Sequence, residues 1–218
     1  MYGGRMTNPS DVTIHIDPAC PWAWLTSRWL AEAARVRPIR VTTRLFDLAE
    51  ANRSTDADED HRRGHGAGEV ALRVLVAARR SGGDDAVARL YTELGEAHHE
   101  RGEPLDEPGM LSRALAAAGL DPGLAEAAGS DPTTLDELLA EHRAIAGRGA
   151  FGVPTLVLGE AAPTFGPVVD VRITGEAAGE LWDRVAWLLT TPSFYELKRE
   201  RTHRPAIGRY QALAATTR

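Results

Sequence analysis

Cys20, the only cysteine of this chain, is the residue with the clearest chemical capacity. It lies in the segment Cys20-Pro21-Trp22-Ala23, between a run typical of a strand and a run typical of a helix. A thiol at the N-terminus of a helix faces unsatisfied backbone N–H groups and the positive end of the helix dipole. Both favour the thiolate, so we expect a lowered pKa and a nucleophilic sulfur. The alternative is a small buried hydrophobic residue, as many free cysteines are.

The residues around Cys20 predict an α/β unit. Residues 12–16 alternate in polarity and are rich in β-branched side chains, which predicts a strand. A helix is predicted from Pro21 to Arg35, because proline is favoured in the first helical turn. After Pro38, the run from Ile39 to Phe46 predicts a second strand. Strands joined by a helical crossover are parallel, so we expect a βαβ unit.

The middle of the chain is predicted to be helical, and strands return after it. From about Asp56 to Ala146, apolar residues recur at helical spacing and predict about four helices. Thr155–Leu158 predicts a strand, and Pro163–Val169 predicts a second strand antiparallel to it. An amphipathic helix is expected over Glu176–Leu189, and we expect the polar tail from Arg201 onward to be partly disordered.

Several long segments occur in an order that is specific to one protein family. They are Asp17-Pro18-Ala19-Cys20-Pro21-Trp22-Ala23-Trp24, Thr26-Ser27-Arg28-Trp29, Val153-Pro154-Thr155, Phe165-Gly166-Pro167-Val168, Gly179-Glu180-Leu181-Trp182-Asp183 and Phe194-Tyr195-Glu196-Leu197-Lys198-Arg199. On these segments the chain resembles the DsbA-like branch of the thioredoxin superfamily over nearly its whole length. Within that branch it is most similar to the actinobacterial mycothiol-dependent nitroreductase family, which is related to the 2-hydroxychromene-2-carboxylate isomerases.

The resemblance implies an α/β, thioredoxin-like fold with the order β-α-β, helical insertion, β-β-α. It divides the chain into residues 1–50 and 149–200 for the two parts of the thioredoxin-like domain, with an all-α insertion over residues 51–148. Residues 201–218 then form a C-terminal tail. The insertion coincides with the stretch in which only helical spacing is found.

The resemblance also gives a role to the pair Val153-Pro154. Most X-Pro bonds are trans, and a proline that begins a strand is the ordinary interpretation. In a thioredoxin-like fold, a cis-proline precedes this strand and lies against the active cysteine. The backbone of Val153 would then pair with an extended substrate or with a thiol cofactor.

Ala23 is where the chain departs from its family. The family pattern is C-P-W-C, and Ala23 stands at the position of the second cysteine. A dithiol enzyme resolves its mixed disulfide with that second thiol. Three explanations stay open: a monothiol mechanism resolved by an external thiol, a Cys→Ala change introduced to trap a mixed disulfide, or loss of the redox role with retention of a thiol-cofactor role.

These alternatives define the expected functions. The first is an oxidoreductase that depends on mycothiol or another low-molecular-weight thiol and works by a monothiol mechanism through Cys20. The second is a thiol-dependent cis–trans isomerase or transferase that acts on a conjugated small molecule, as in the 2-hydroxychromene-2-carboxylate isomerases. The third is a binding protein that keeps the pocket without turnover.

Three further residues are candidates for the pocket. Trp22 is expected to shield the sulfur and to stack on a flat substrate, with core packing as the alternative. Asn52 follows the second predicted strand, where the family builds its pocket, and His99 is expected to face Cys20 from the helical block. The neighbouring His98 does not indicate a metal site with His99, because adjacent helical residues point about 100° apart. We therefore expect no metal.

Composition excludes several other classes of protein. The formal net charge is −6, which argues against nucleic-acid binding. A single cysteine excludes a scaffold held by internal disulfides, and no apolar run approaches the ~20 residues of a membrane span. The first ten residues lack the apolar stretch of a signal peptide, so we expect a cytoplasmic protein. The expected partners are a small-molecule substrate and a thiol, and a homodimer stays open.

Overall fold

The sheet brings the two predicted active-site segments to the same end of two neighbouring strands. The computed structural model of the protein describes residues 10–53 and 59–208. Strands β1 (Ser10–Ile16), β2 (Ile39–Leu45), β3 (Thr155–Leu158) and β4 (Thr164–Phe165) form a sheet in the order β2-β1-β3-β4. β1 is parallel to β2, and β3 is antiparallel to both β1 and β4. The end of β1 therefore meets the beginning of β3, where His15 pairs with Thr155.

The helices follow the predicted order. They are α1 (Pro21–Val36), α2 (Leu48–Ala51), α3 (Glu59–Gly95), α4 (Met110–Ala117), α5 (Leu124–Ser130), α6 (Pro132–Ala146) and α7 (Gly175–Leu189), and a π-helical turn, Glu96–Glu100, continues α3. Every element described between β2 and β3 is helical, so the order β-α-β, helical insertion, β-β-α is confirmed. The division into domains at residues 50, 148 and 200 stays a prediction.

One prediction about local structure is wrong. β4 is far shorter than the predicted strand over Pro163–Val169, because Gly166 has a φ of 93° and Pro167 has no N–H to donate. The tail from Arg201 onward was expected to be partly disordered. Residues 201–204 are exposed, whereas Pro205 and Ile207 are buried. Residues 209–218 lie outside the described residues, so the expectation for the tail stays a prediction.

The core lies between the sheet and the surrounding helices. Trp24 and Trp29 of α1 are fully buried in this core, with exposures of 0% and 1%. The Trp29 indole N–H donates to the Ala178 carbonyl at 3.1 Å and ties α1 to α7. In the part of the chain that the structure describes, no helix is both long enough and apolar enough to cross a membrane.

Candidate active site

Cys20 is the N-cap residue of α1. Its backbone is extended, with φ −90° and ψ 109°, and Pro21 follows in the first helical turn. The Cys20 Sγ accepts a hydrogen bond from the Ala23 N–H at 3.4 Å. A side-chain acceptor at this position satisfies one of the N–H groups that an α-helix leaves unpaired. The sulfur therefore sits where the sequence predicts it, at the end of α1 that favours negative charge.

The Val153-Pro154 loop lies against this sulfur. The peptide bond between Val153 and Pro154 is cis, and the Cys20 thiol donates to the Val153 carbonyl at 3.6 Å. The loop is fixed from both sides, because Gly166 N–H donates to the Pro154 carbonyl at 2.8 Å and Thr155 Oγ1 donates to the Gly152 carbonyl at 2.7 Å. Within the described residues, the Val153 N–H makes no hydrogen bond, so it can donate one to a ligand.

The expected lowering of the Cys20 pKa is wrong for this structure. Burial raises the pKa of the Cys20 thiol to about 12, and the nearby Asp17 carboxyl raises it further. The Ala23 N–H, the Trp22 N–H and the Arg201 guanidinium act in the opposite direction and lower the pKa. Desolvation of the thiolate outweighs the helix N-terminus because the residue is only 7% exposed. The sulfur is therefore a protonated thiol, in keeping with its bond to Val153.

Asp17 supports the turn that carries the cysteine. Its carboxylate is fully buried and accepts hydrogen bonds from the N–H groups of Ala19 at 2.8 Å and Leu48 at 3.0 Å. Burial raises the pKa of Asp17 to about 7 despite these two bonds. A Cβ at Gly68 of α3 would come within 2.7 Å of its Oδ1, so this approach requires glycine. Sequence reasoning placed Asp17 in the family motif without giving it a role.

His99 reaches the same turn from the π-helical turn. Its Nε2–H donates to the Pro18 carbonyl at 2.9 Å, and its ring stacks on Trp24 with centroids 6.1 Å apart. The Trp24 indole N–H donates to Glu100 Oε1 at 2.9 Å. A Cβ at Gly95 would lie 2.2 Å from the Trp24 ring, so glycine is required there too. The structure thus brings His99 to the backbone beside Cys20, and its role in a pocket stays a prediction.

Trp22 is half-buried, and its ring face is occupied. The Arg201 Cζ lies 5.2 Å from the centroid of the Trp22 ring, which is the geometry of a cation–π contact. A flat substrate could stack on this face only if Arg201 moved away. The expected role of Trp22 as a shield fits its position two residues after Cys20.

Asn52 is placed at the end of α2. Its Nδ2 donates to the Leu48 carbonyl at 2.8 Å, which satisfies a carbonyl of the last helical turn. No hydrogen bond between Asn52 and Cys20 is found among the described residues. Asn52 is linked to the site indirectly, through Leu48 and Asp17, and its role in binding stays a prediction.

Ala23 fills the position of the missing second thiol. Its side chain is fully buried, and its N–H is the donor to the Cys20 sulfur. Cys20 is the single thiol of the sequence, so an internal dithiol cycle has no second partner. Across the residues that the structure describes, no group of three or more His, Cys, Asp or Glu side chains is arranged to hold a metal.

One feature beside the loop was missed from the sequence. Phe151 is 73% exposed and stacks on Phe165, with ring centroids 5.2 Å apart. Phe165 pairs with Thr155 across β3 and β4, so the two rings lie at the cysteine end of the sheet. The sequence signal for this aromatic pair was the position of Phe151, two residues before Val153. These rings present an aromatic surface that Arg201 leaves uncovered.

A family profile and a relative match most of the chain. The profile is described as "Mycothiol-dependent nitroreductase Rv2466c" and matches residues 19–199. A protein of Mycobacterium tuberculosis (strain ATCC 25618 / H37Rv), described as uncharacterized protein Rv2286c, is 32% identical over 191 residues, which are 88% of this chain and 82% of that protein. The matched range includes Cys20, Ala23 and Val153-Pro154.

Solved structures with low sequence identity share the fold. A 2-hydroxychromene-2-carboxylate isomerase has a TM-score of 0.59 at 17% identity, over 82% of this chain and 94% of that chain. The cytosolic disulfide reductase DsbM from Pseudomonas aeruginosa, solved with GSH, has a TM-score of 0.53 at 22% identity, over 82% of this chain and 96% of that chain. The thioredoxin-like, DsbA-like fold expected from the sequence is confirmed.

Proposed function

This chain belongs to the Rv2466c-like family of mycothiol-dependent nitroreductases, and from that premise we propose that it is a monothiol oxidoreductase that works through Cys20. Its reductant is mycothiol or another low-molecular-weight thiol, consumed as a second substrate. Its acceptor is a small molecule with a disulfide or a nitro group. We also expect it in the cytoplasm, where thiols are kept reduced; the similar protein DsbM is described as cytosolic.

One observation carries this proposal. Cys20 Sγ lies 3.6 Å from the Val153 carbonyl, while Ala23 occupies the buried position from which a second thiol would resolve an adduct. An adduct on Cys20 can therefore be resolved only from outside the chain. The Val153 carbonyl and N–H suit an extended thiol substrate, because together they offer one acceptor and one donor.

Disulfide exchange needs one protein sulfur. The Cys20 thiol loses its proton as it attacks a disulfide R–S–S–R′, forms Cys20–S–S–R and releases R′–S⁻, which takes up that proton. An external thiolate M–S⁻ then attacks the R sulfur, forms M–S–S–R and leaves Cys20 as the thiolate. The net reaction converts one disulfide and one thiol into another disulfide and thiol, with no change at Ala23.

Reduction of a nitro group can use the same sulfur. Cys20 and one external thiol supply two electrons and two protons, so that Ar–NO₂ becomes Ar–NO and water while a mixed disulfide forms on Cys20. A second external thiol displaces Cys20 and leaves as the symmetric disulfide. Two external thiols are consumed for each nitro group, and the protein returns to its starting state.

The test is a turnover assay with matched substitutions at the two motif positions. Mycothiol and a nitroaromatic or mixed-disulfide acceptor are incubated with the wild type, Cys20→Ser and Ala23→Ser, and the loss of both substrates is followed. We expect Cys20→Ser to reduce the rate by at least ~10³-fold, because the hydroxyl is a far weaker nucleophile than a thiolate. Ala23→Ser should keep the rate. Turnover that survives Cys20→Ser would refute the proposal.

The lone sulfur also favours a second candidate, a thiol-dependent cis–trans isomerase. Reversible addition of a thiolate to a conjugated double bond needs no second cysteine, so the buried Ala23 is as compatible with isomerisation as with reduction. The same assay separates the two functions through the thiol balance. A reductase consumes thiol in proportion to product, whereas an isomerase needs only a catalytic amount.

A further inference from the structure

Residues 201–208, here called the C-terminal strap, run across the cysteine end of the protein. Ile207 is buried, and the Ala206 N–H donates to the Asp170 carbonyl at 2.7 Å. His203 Nε2 lies 2.6 Å from Asp170 Oδ2, and the two form an ion pair when the histidine is protonated. The strap is thus held by backbone, side-chain and apolar contacts, although it follows residue 199, where the family match ends.

The strap carries one cation to the active site. Arg201 lies over the Trp22 ring at 5.2 Å, and Trp22 follows Cys20 by two residues on the first turn of α1. Two charged side chains shift the pKa of the Cys20 thiol, Asp17 and Arg201. The Asp17 carboxylate raises this pKa, because a thiolate would be a second negative charge nearby, whereas the Arg201 guanidinium lowers it.

Two other guanidinium groups near α1 are engaged elsewhere. Arg28 lies 4.4 Å from the centroid of the Trp24 ring and donates to Thr92 Oγ1 at 3.0 Å. Arg172 is paired with Glu100 at 2.6 Å and also faces Trp24. Both cations therefore face the buried tryptophan and its acidic neighbour, while Arg201 faces the tryptophan beside the sulfur.

We propose that Arg201 is a positioning residue for the reaction at Cys20, whose guanidinium is held over Trp22 by the C-terminal strap and stabilises negative charge on the sulfur. The inference rests on the proposed function, in which a thiolate at Cys20 attacks and is regenerated in each cycle. Burial raises the pKa of Cys20, and the Arg201 guanidinium acts against that effect together with the Ala23 and Trp22 N–H groups. The contact with Trp22 holds the cation, and among the described residues no ion pair joins Arg201 to a carboxylate.

The test measures the reactivity of Cys20 without any turnover. The rate of alkylation by iodoacetamide is followed between pH 7 and 10 in the wild type, Arg201→Gln, Arg201→Lys and Arg199→Gln. We expect Arg201→Gln to slow alkylation about three- to tenfold at pH 8 and to move the rate profile to higher pH. The reason is that loss of a positive charge near the sulfur raises the pKa of Cys20. Arg201→Lys should retain most of the rate, because it keeps the charge.

Arg199→Gln is the matched control, because Arg199 is exposed on the neighbouring stretch of chain. It should leave the profile unchanged. Equal profiles for Arg201→Gln and Arg199→Gln would overturn the inference, and so would faster alkylation in Arg201→Gln, which would make the strap a simple cover. If the Arg201 effect appears while Cys20→Ser keeps its turnover, the role of Arg201 stands and the proposed function fails.

Discussion

Two helices of this protein begin in nearly the same way. α1 has Cys20 as its N-cap residue and Pro21 in its first turn, and α6 has Asp131 and Pro132 in the same positions. The backbone angles of the cap residues are φ −90° and ψ 109° in α1, against φ −96° and ψ 106° in α6. In each, the cap side chain accepts a hydrogen bond from a backbone N–H of the first turn.

The pKa values of the two cap groups nevertheless shift in opposite directions. Bonds from the Thr133 hydroxyl and N–H lower the pKa of Asp131, whose side chain is 43% exposed. Burial raises the pKa of Cys20, although its sulfur lies at an equivalent helix end. The helix N-terminus therefore does not decide by itself whether an anion forms. Exposure to solvent and neighbouring charges also decide, and for Cys20 these are its burial, the Asp17 carboxyl and the Arg201 guanidinium.

The largest expected effect comes from restoring a second thiol to α1. In Ala23→Cys, two cysteines three residues apart begin one helix, at a spacing that a disulfide can bridge. We expect mild oxidation to lower the intact mass by about 2 Da and to stop alkylation of Cys20, because both sulfurs are then in one bond. Ala23→Ser is the control and should show neither change. An oxidised Ala23→Cys protein that still alkylates fully would contradict the geometry given for α1.

A smaller effect tests burial against exposure with two carboxylates: Asp17, which accepts hydrogen bonds from two backbone N–H groups, and Asp131, which accepts from Thr133 and from Arg80. The folded pKa of Asp17 is raised to about 7, so the folded state holds a proton between about pH 4 and 7 that the unfolded state has lost. Stability from this group falls as the pH rises through that window, by about 4 kcal/mol at most. The lowered pKa of Asp131 has the opposite sign: its contribution is present above pH 4 and is lost in acid.

Urea unfolding of the wild type, Asp17→Asn and Asp131→Asn between pH 3 and 8 measures both signs. The stability of the wild type relative to Asp17→Asn should decrease from pH 4.5 to pH 7.5. Its stability relative to Asp131→Asn should increase from pH 3 to pH 5. A difference from Asp17→Asn that does not vary with pH would mean that the Asp17 carboxyl is not desolvated in the folded protein.

Local patterns were enough to predict much of this fold. The strand Thr155–Leu158 was predicted with its observed bounds, and the helix that begins at Pro21 was predicted to within one residue of its end. The position of Cys20 at a helix N-terminus followed from the same patterns. The early end of β4 could also have been predicted, since Gly166-Pro167 interrupts a ladder of hydrogen bonds between strands.

The charge state of Cys20 could not be predicted from local sequence. It depends on contacts between residues that are far apart in the chain, such as the bond from Cys20 to Val153 across 133 positions. The burial of Ile207 and the placement of Arg201 over Trp22 are likewise tertiary effects, and a polar, alanine-rich tail gave no signal for them. A motif thus identified the nucleophile, while its surroundings set its reactivity.

The central claim is that Cys20 works with an external thiol in place of an internal one. Intact mass spectrometry after incubation with the oxidised disulfide of mycothiol tests it most directly. We predict one thiol adduct per wild-type chain, absent in Cys20→Ser, stable on dilution, and released only when reduced mycothiol is added. A wild-type chain that takes up no adduct, or an adduct that leaves without added thiol, would contradict the monothiol mechanism.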